Sequence, residues 1–70
     1  MEETPVITLN GAPHSLPAGS TVLTLLQSLG LADIPVLVEH NTTALFPREF
    51  PDTPLAAGDR VEIIRIVAGG

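Results

Sequence analysis

Val22, Leu25, Leu26 and Leu29 fall at i, i+3, i+4 and i+7, the spacing of one apolar stripe along an α-helix. Ser20 or Thr21 offers a hydroxyl N-cap, Thr24, Gln27 and Ser28 occupy the opposite face, and Gly30 stands where a left-handed C-cap is expected. A single amphipathic helix must bury its stripe against another element, and the segments on either side of it are β-formers. From Val6 to Leu9 the chain reads as a strand, closed by Asn10-Gly11, the dipeptide best suited to a type I′ hairpin turn. His14 to Leu16 is the expected return strand, and Pro13 places it near an edge or at a strand start, where a missing N–H is tolerated. Pro17-Ala18-Gly19 separates this hairpin from the helix.

After the helix, Ile34-Pro35 leads into a strand over Val36-Leu37-Val38-Glu39-His40, and Asn41-Thr42-Thr43 turns the chain into a brief apolar piece, Ala44-Leu45-Phe46, stopped by Pro47. Pro51, Pro54 and Gly58-Asp59 break up the next stretch, read as irregular loop with one helical turn. A last strand runs from Arg60 to about Val67. The order is ββαβββ or ββαββ, an α+β domain over residues 1–70 with a mixed sheet of four to five strands on one main helix and a tail at 68–70.

Seventy residues leave no room for a second domain, and a chain this short buries only about 60% of its unfolded surface. The absence of Cys excludes a disulfide framework, a zinc knuckle and a catalytic thiol. No apolar run approaches the roughly 20 residues of a membrane span, and Met1-Glu2-Glu3 is acidic where a signal peptide is basic, so the expected location is cytoplasmic. Arg48, Arg60 and Arg65 stand against eight Asp and Glu with no Lys, a net charge of -5. This balance argues against a nucleic-acid partner and favours encounter with basic proteins.

The final strand carries large apolar groups on both phases, Val61, Ile63 and Val67 on one and Ile64 and Ile66 on the other. One helix covers one face of a sheet. A central position with the first phase against the helix leaves Ile64 and Ile66 on the open face, beside the tail, as an intermolecular patch. The tail itself, Ala68-Gly69-Gly70, has almost no side-chain bulk. Two glycines permit a left-handed backbone and close approach by another protein, so the Gly70 carboxylate is the expected reactive group.

A two-strand hairpin, one helix, a hairpin-like remainder and a central last strand make the arrangement of a ubiquitin-like β-grasp. The ordered set Asn10-Gly11, Gly19 with Thr21-Val22 and Leu25-Leu26, Asn41, Pro47-Arg48-Glu49, Gly58-Asp59 and Ile66-Val67-Ala68-Gly69-Gly70 resembles the ThiS family of sulfur carrier proteins, within the wider ThiS/MoaD group, over nearly the whole chain. The resemblance implies a co-substrate and not an enzyme. Its terminal glycine, here Gly70, is adenylated by a ThiF-type enzyme using ATP and Mg and converted to a thiocarboxylate with sulfur from a donor such as a cysteine desulfurase system. Delivery is to the thiazole synthase ThiG in thiamine biosynthesis. Gly69 supplies backbone freedom, Ala68 keeps the approach narrow, and Ile64 and Ile66 with Arg65 are the candidate docking residues.

Other chemistry finds little footing. His14 and His40 have no close partner at metal-ligand spacing, and no phosphate loop, Ser/His/Asp set or HExxH motif occurs, so no bound cofactor or metal is expected. Arg48 and Glu49 read as a surface pair, and Asp59 as a turn residue. Three alternatives stay open at this point: a MoaD-type or tRNA-thiolation carrier, a ubiquitin-like modifier forming isopeptide bonds, and a plain binding module.

Overall fold

In the computed structural model, which describes residues 4–67, Asn10 and Gly11 both take positive φ, 48° and 84°. Both central positions of a type I′ turn require this. The turn joins β1 (Val6–Leu9) to β2 (Ala12–Ser15). Pairing begins at once, Leu9 opposite Ala12, so β2 starts two residues before the expected His14 and ends before Leu16. Pro13 is tolerated inside it because β2 forms the edge of the sheet.

Helix α1 spans Val22–Ser28 and is capped at both ends. Of the two candidate N-caps, Thr21 takes the role. Its Oγ1 accepts from the Thr24 N–H at 3.2 Å, and Thr24 Oγ1 accepts from the Thr21 N–H at 2.8 Å, a reciprocal capping box. Ser20 is buried instead, donating to the Pro17 carbonyl at 2.6 Å. At the other end Gly30 has φ 73°, its N–H donates to Gln27 O, and the Leu31 N–H donates to Leu26 O. This is the bonding of a Schellman motif. It corrects one expectation: Val22, Leu25 and Leu26 are buried, but Leu29 is the C-cap and is 37% exposed. The helix has ended by Leu29, and the Schellman turn brings Leu31 back against the core in its place.

The remaining strands are β3 (Val36–His40), β4 (Thr43–Leu45) and β5 (Arg60–Arg65), giving one five-stranded sheet in the order β2-β1-β5-β3-β4. β5 is the central strand, parallel to β1 and antiparallel to β3. Its end comes at Arg65 and not at Val67. The register sets that limit: Arg65 lies opposite Val36, the first residue of β3, and among the described residues one further bond follows, from the Ile66 N–H to Pro35 O at 3.0 Å. Val67 is 84% exposed. On its other side β5 outruns β1, and the Asn10 side chain substitutes for the missing strand, Oδ1 accepting the Ile63 N–H at 2.8 Å.

Ile7, Val38, Val61 and Ile63 from the sheet meet Val22, Leu25 and Leu26 from α1, and Leu16, Phe50 and Leu55 close the core from the connections. Phe50 belongs to a 3₁₀ helix, Pro47–Asp52, the helical turn expected in this stretch. The loop also satisfies backbone groups at the helix start: Val22 N–H donates to Thr53 O, and Leu55 N–H to Ser20 O. Phe46 lies outside β4, contrary to its expected place in the brief apolar piece, and is 59% exposed. Topology and packing together are those of the ubiquitin-like β-grasp.

Candidate functional site

The register of β3 and β5 divides their side chains between two faces. Val38 opposes Ile63 on the helix side, so Leu37 opposite Ile64 and Glu39 opposite Glu62 fall on the face that α1 does not cover. Strand β4 extends these rows by pairing Ala44 with Glu39. Phe46 continues the alternation in extended conformation, φ -79° and ψ 150°, level with Leu37. The open face therefore carries an apolar row, Phe46, Leu37 and Ile64, beside an acidic row, Glu39 and Glu62. Ile66 follows on the same phase at the end that leads to residue 68. Ile64 is 53% exposed, Ile66 57% and Leu37 41%.

Two of the three docking candidates, Ile64 and Ile66, thus share the open face. Arg65 does not join them. It lies opposite Val36, on the phase of Ile63, and is exposed at the end of the sheet. Leu37, Phe46 and the Glu39–Glu62 pair went unread in the sequence, because which residue of β3 faces which residue of β5 depends on a pairing that local spacing does not specify. The alternation within Val36–His40 was the available signal. Ala68, Gly69 and Gly70 lie outside the described residues.

Arg48 also finds a different partner from the expected one. Its guanidinium carbon lies 4.7 Å from the centroid of the Phe46 ring, a cation–π contact at the rim of the apolar row, and among the described residues the one ion pair is His40–Asp59.

That pair anchors a polar clasp at the far end of β5 from residue 68. His40 Nε2 donates to Asp59 Oδ2 at 2.8 Å, Asn41 Nδ2 donates to Asp59 Oδ1 at 3.2 Å, and the Ala56 N–H donates to Oδ2 at 3.0 Å. Asn41 Oδ1 in turn accepts the Arg60 N–H at 2.8 Å. Partial burial raises the Asp59 pKa, but the hydrogen bonds from His40, Ala56 and Asn41, with the charge of His40, outweigh it and hold the carboxyl below its ordinary 3.8. Asp59 is thus more than a turn residue. Its clasp fixes the β3–β4 turn, in which Asn41 and Thr42 both have positive φ, 49° and 73°. His14 stays apart on β2, and the described residues contain no group of three or more His, Cys, Asp or Glu able to hold a metal ion. No helix among them is long and apolar enough to cross a membrane.

Comparison with known proteins places this geometry among carriers of sulfur. The model of the ThiS family matches residues 7–70. The sulfur carrier protein ThiS of Thermus thermophilus is 37% identical over 65 residues, which cover 93% of this chain and all of that protein. A thiazole synthase of Magnetococcus marinus is 36% identical over 64 residues, 91% of this chain, and this chain spans 20% of its length. The crystal structure of a thiamine biosynthesis protein (ThiS) from Geobacter metallireducens superposes with a TM-score of 0.79 at 32% identity, covering 93% of this chain and 99% of that one.

Proposed function

The chain belongs to the ThiS family, the small sulfur carriers of thiamine biosynthesis, and on that premise we propose that the carboxylate of Gly70 is the group it carries sulfur on. The observation that supports this most is the continuity of the family match through Gly69 and Gly70, with the open-face residues Ile64 and Ile66 on the strand that leads to them.

A carboxylate is a poor electrophile while it keeps a charged oxygen as its only leaving group. A ThiF-type enzyme with Mg-ATP would join that oxygen to AMP, releasing pyrophosphate. The terminal sulfur of a persulfide drawn from a donor such as a cysteine desulfurase system would then attack the carbonyl carbon and expel AMP, and a thiol reductant would cleave the resulting acyl disulfide. The product is a C(=O)S⁻ group, which a chain without Cys can bear at its end. Ala68 and Gly69 lack the bulk that would obstruct entry to a partner's active site. The chain supplies the acyl group and the docking surface, and nucleotide, metal and catalysis belong to the partner.

The acceptor we propose is thiazole synthase. The match of this chain to a fifth of a thiazole synthase supports it, since a carrier-like segment and that activity occur there in one polypeptide. The compartment we assign is the cytoplasm, in keeping with a chain that needs no disulfide. The test is intact-protein mass spectrometry after incubation with a ThiF-type enzyme, Mg-ATP and a sulfur source. The native chain should gain about 16 Da, sulfur in place of oxygen, and a variant with one residue added after Gly70 should gain nothing. A native chain unchanged beside an enzyme active on a known carrier would refute the assignment.

A further inference from the structure

Glu39 and Glu62 sit directly opposite one another on the adjacent strands β3 and β5, on the open face. Like charges in that position repel and destabilise the sheet that holds them. Neither forms an ion pair among the described residues, although Arg60 stands two residues before Glu62 on the same strand. The pair adjoins the apolar row Phe46, Leu37 and Ile64, and successive same-face rows along a strand are about 6.7 Å apart. The acidic row lies on the side of that apolar row away from Ile66 and residue 68.

Building on the carrier reading, we propose that the protein surface that receives this face is apolar where it meets Leu37 and Ile64. It places an Arg or Lys over the Glu39–Glu62 pair, one row further from the C-terminal tail. The pair then acts as an orienting mark. A cation seated there relieves the repulsion, while the apolar row and the tail fix the opposite side of the contact, so the carrier is received with residue 68 pointing one way. Charge complementarity selects this occupant over a second copy of the chain. A copy carries the same net charge of -5, offers three Arg and no Lys against eight acidic residues, and would bring a second acidic pair to the contact.

The experiment follows charging of the carrier by its ThiF-type enzyme with Mg-ATP and a sulfur source, as initial rate against carrier concentration, at about 50 and about 300 mM salt. Native chain, the double variant Glu39→Gln/Glu62→Gln and the single variant Glu62→Lys are compared, each checked by thermal melting. The double variant is expected to raise KM about fivefold at low salt, to lose most of the salt dependence of KM, and to leave kcat unchanged. Its melting temperature should equal or exceed that of the native chain. Glu62→Lys should raise KM further. If all three are charged with the same KM and the same salt dependence, the orienting role is refuted while the carrier reading stands. If the native chain is not charged by an enzyme active on a known carrier, both fall. A native chain that elutes as a dimer, with Glu39→Gln/Glu62→Gln strengthening it, would make the second copy the occupant and overturn the proposal.

Discussion

Asn10 serves two structures at once. Its backbone takes the positive φ of the hairpin turn, and its side chain accepts the Ile63 N–H where β1 no longer reaches. Asn10→Ala should therefore cost about 2 kcal/mol in urea unfolding, from an unpaired ladder N–H and a strained backbone, while Asn10→Asp, which keeps the acceptor, should retain most of the stability. Thr42 offers the converse case. A β-branched residue at φ 73° is strained, and the clasp around Asn41 and Asp59 holds it there. Thr42→Gly should stabilise the chain by about 0.5–1 kcal/mol, seen as a raised Tm. Asp59 sets a pH dependence. Its carboxyl is held below the ordinary value in the fold, so its contribution is complete above the unfolded pKa and disappears as pH falls through the folded one. Asp59→Asn should flatten the decline of the urea midpoint as pH falls below the ordinary carboxylate value of 3.8, relative to the native chain.

Elements were legible where a local rule governs them. The i, i+3, i+4, i+7 stripe and its flanking Thr and Gly located α1, and Asn-Gly located the first hairpin, because spacing, capping and φ preference act within a few residues. What depends on pairing was less legible. β5 ends at Arg65 because β3 begins at Val36, and Leu29 yields its place to Leu31 because a Schellman turn redirects the chain. The stretch from Phe50 to Ala57 gave no functional signal, and the structure gives it a structural role: Phe50 and Leu55 are buried, and Thr53 O accepts the first N–H of the helix. Phe50→Ala should cost about 3 kcal/mol by the loss of a core side chain, and the helix and sheet should still unfold in one transition when followed by circular dichroism. Thr21→Ala should cost about 1 kcal/mol by removing half of the capping box.

For the whole molecule, the decisive fact is that one helix covers one face. The central strand buries Val61 and Ile63 beneath α1 and leaves Ile64 on the open side, so the fold itself produces an exposed apolar row next to the route to Gly70. The sequence disclosed the two phases of β5 and the diglycine. It did not disclose Leu37, Phe46 or the opposed glutamates, which meet only when β3 and β4 pair. An acidic, Cys-free carrier domain with such a face is suited to being handed between enzymes, and sulfur transfer into a thiazole is the step that separates this account from lysine modification or plain binding. The direct measurement is to charge the chain with a heavy sulfur isotope, mix it with thiazole synthase and its remaining substrates, and weigh both the carrier and the small-molecule product. Heavy sulfur in the thiazole, with the carrier returned to its carboxylate mass, is the predicted result. A carrier that keeps its label beside an active synthase, or that reappears joined to lysines of other proteins, would contradict the account.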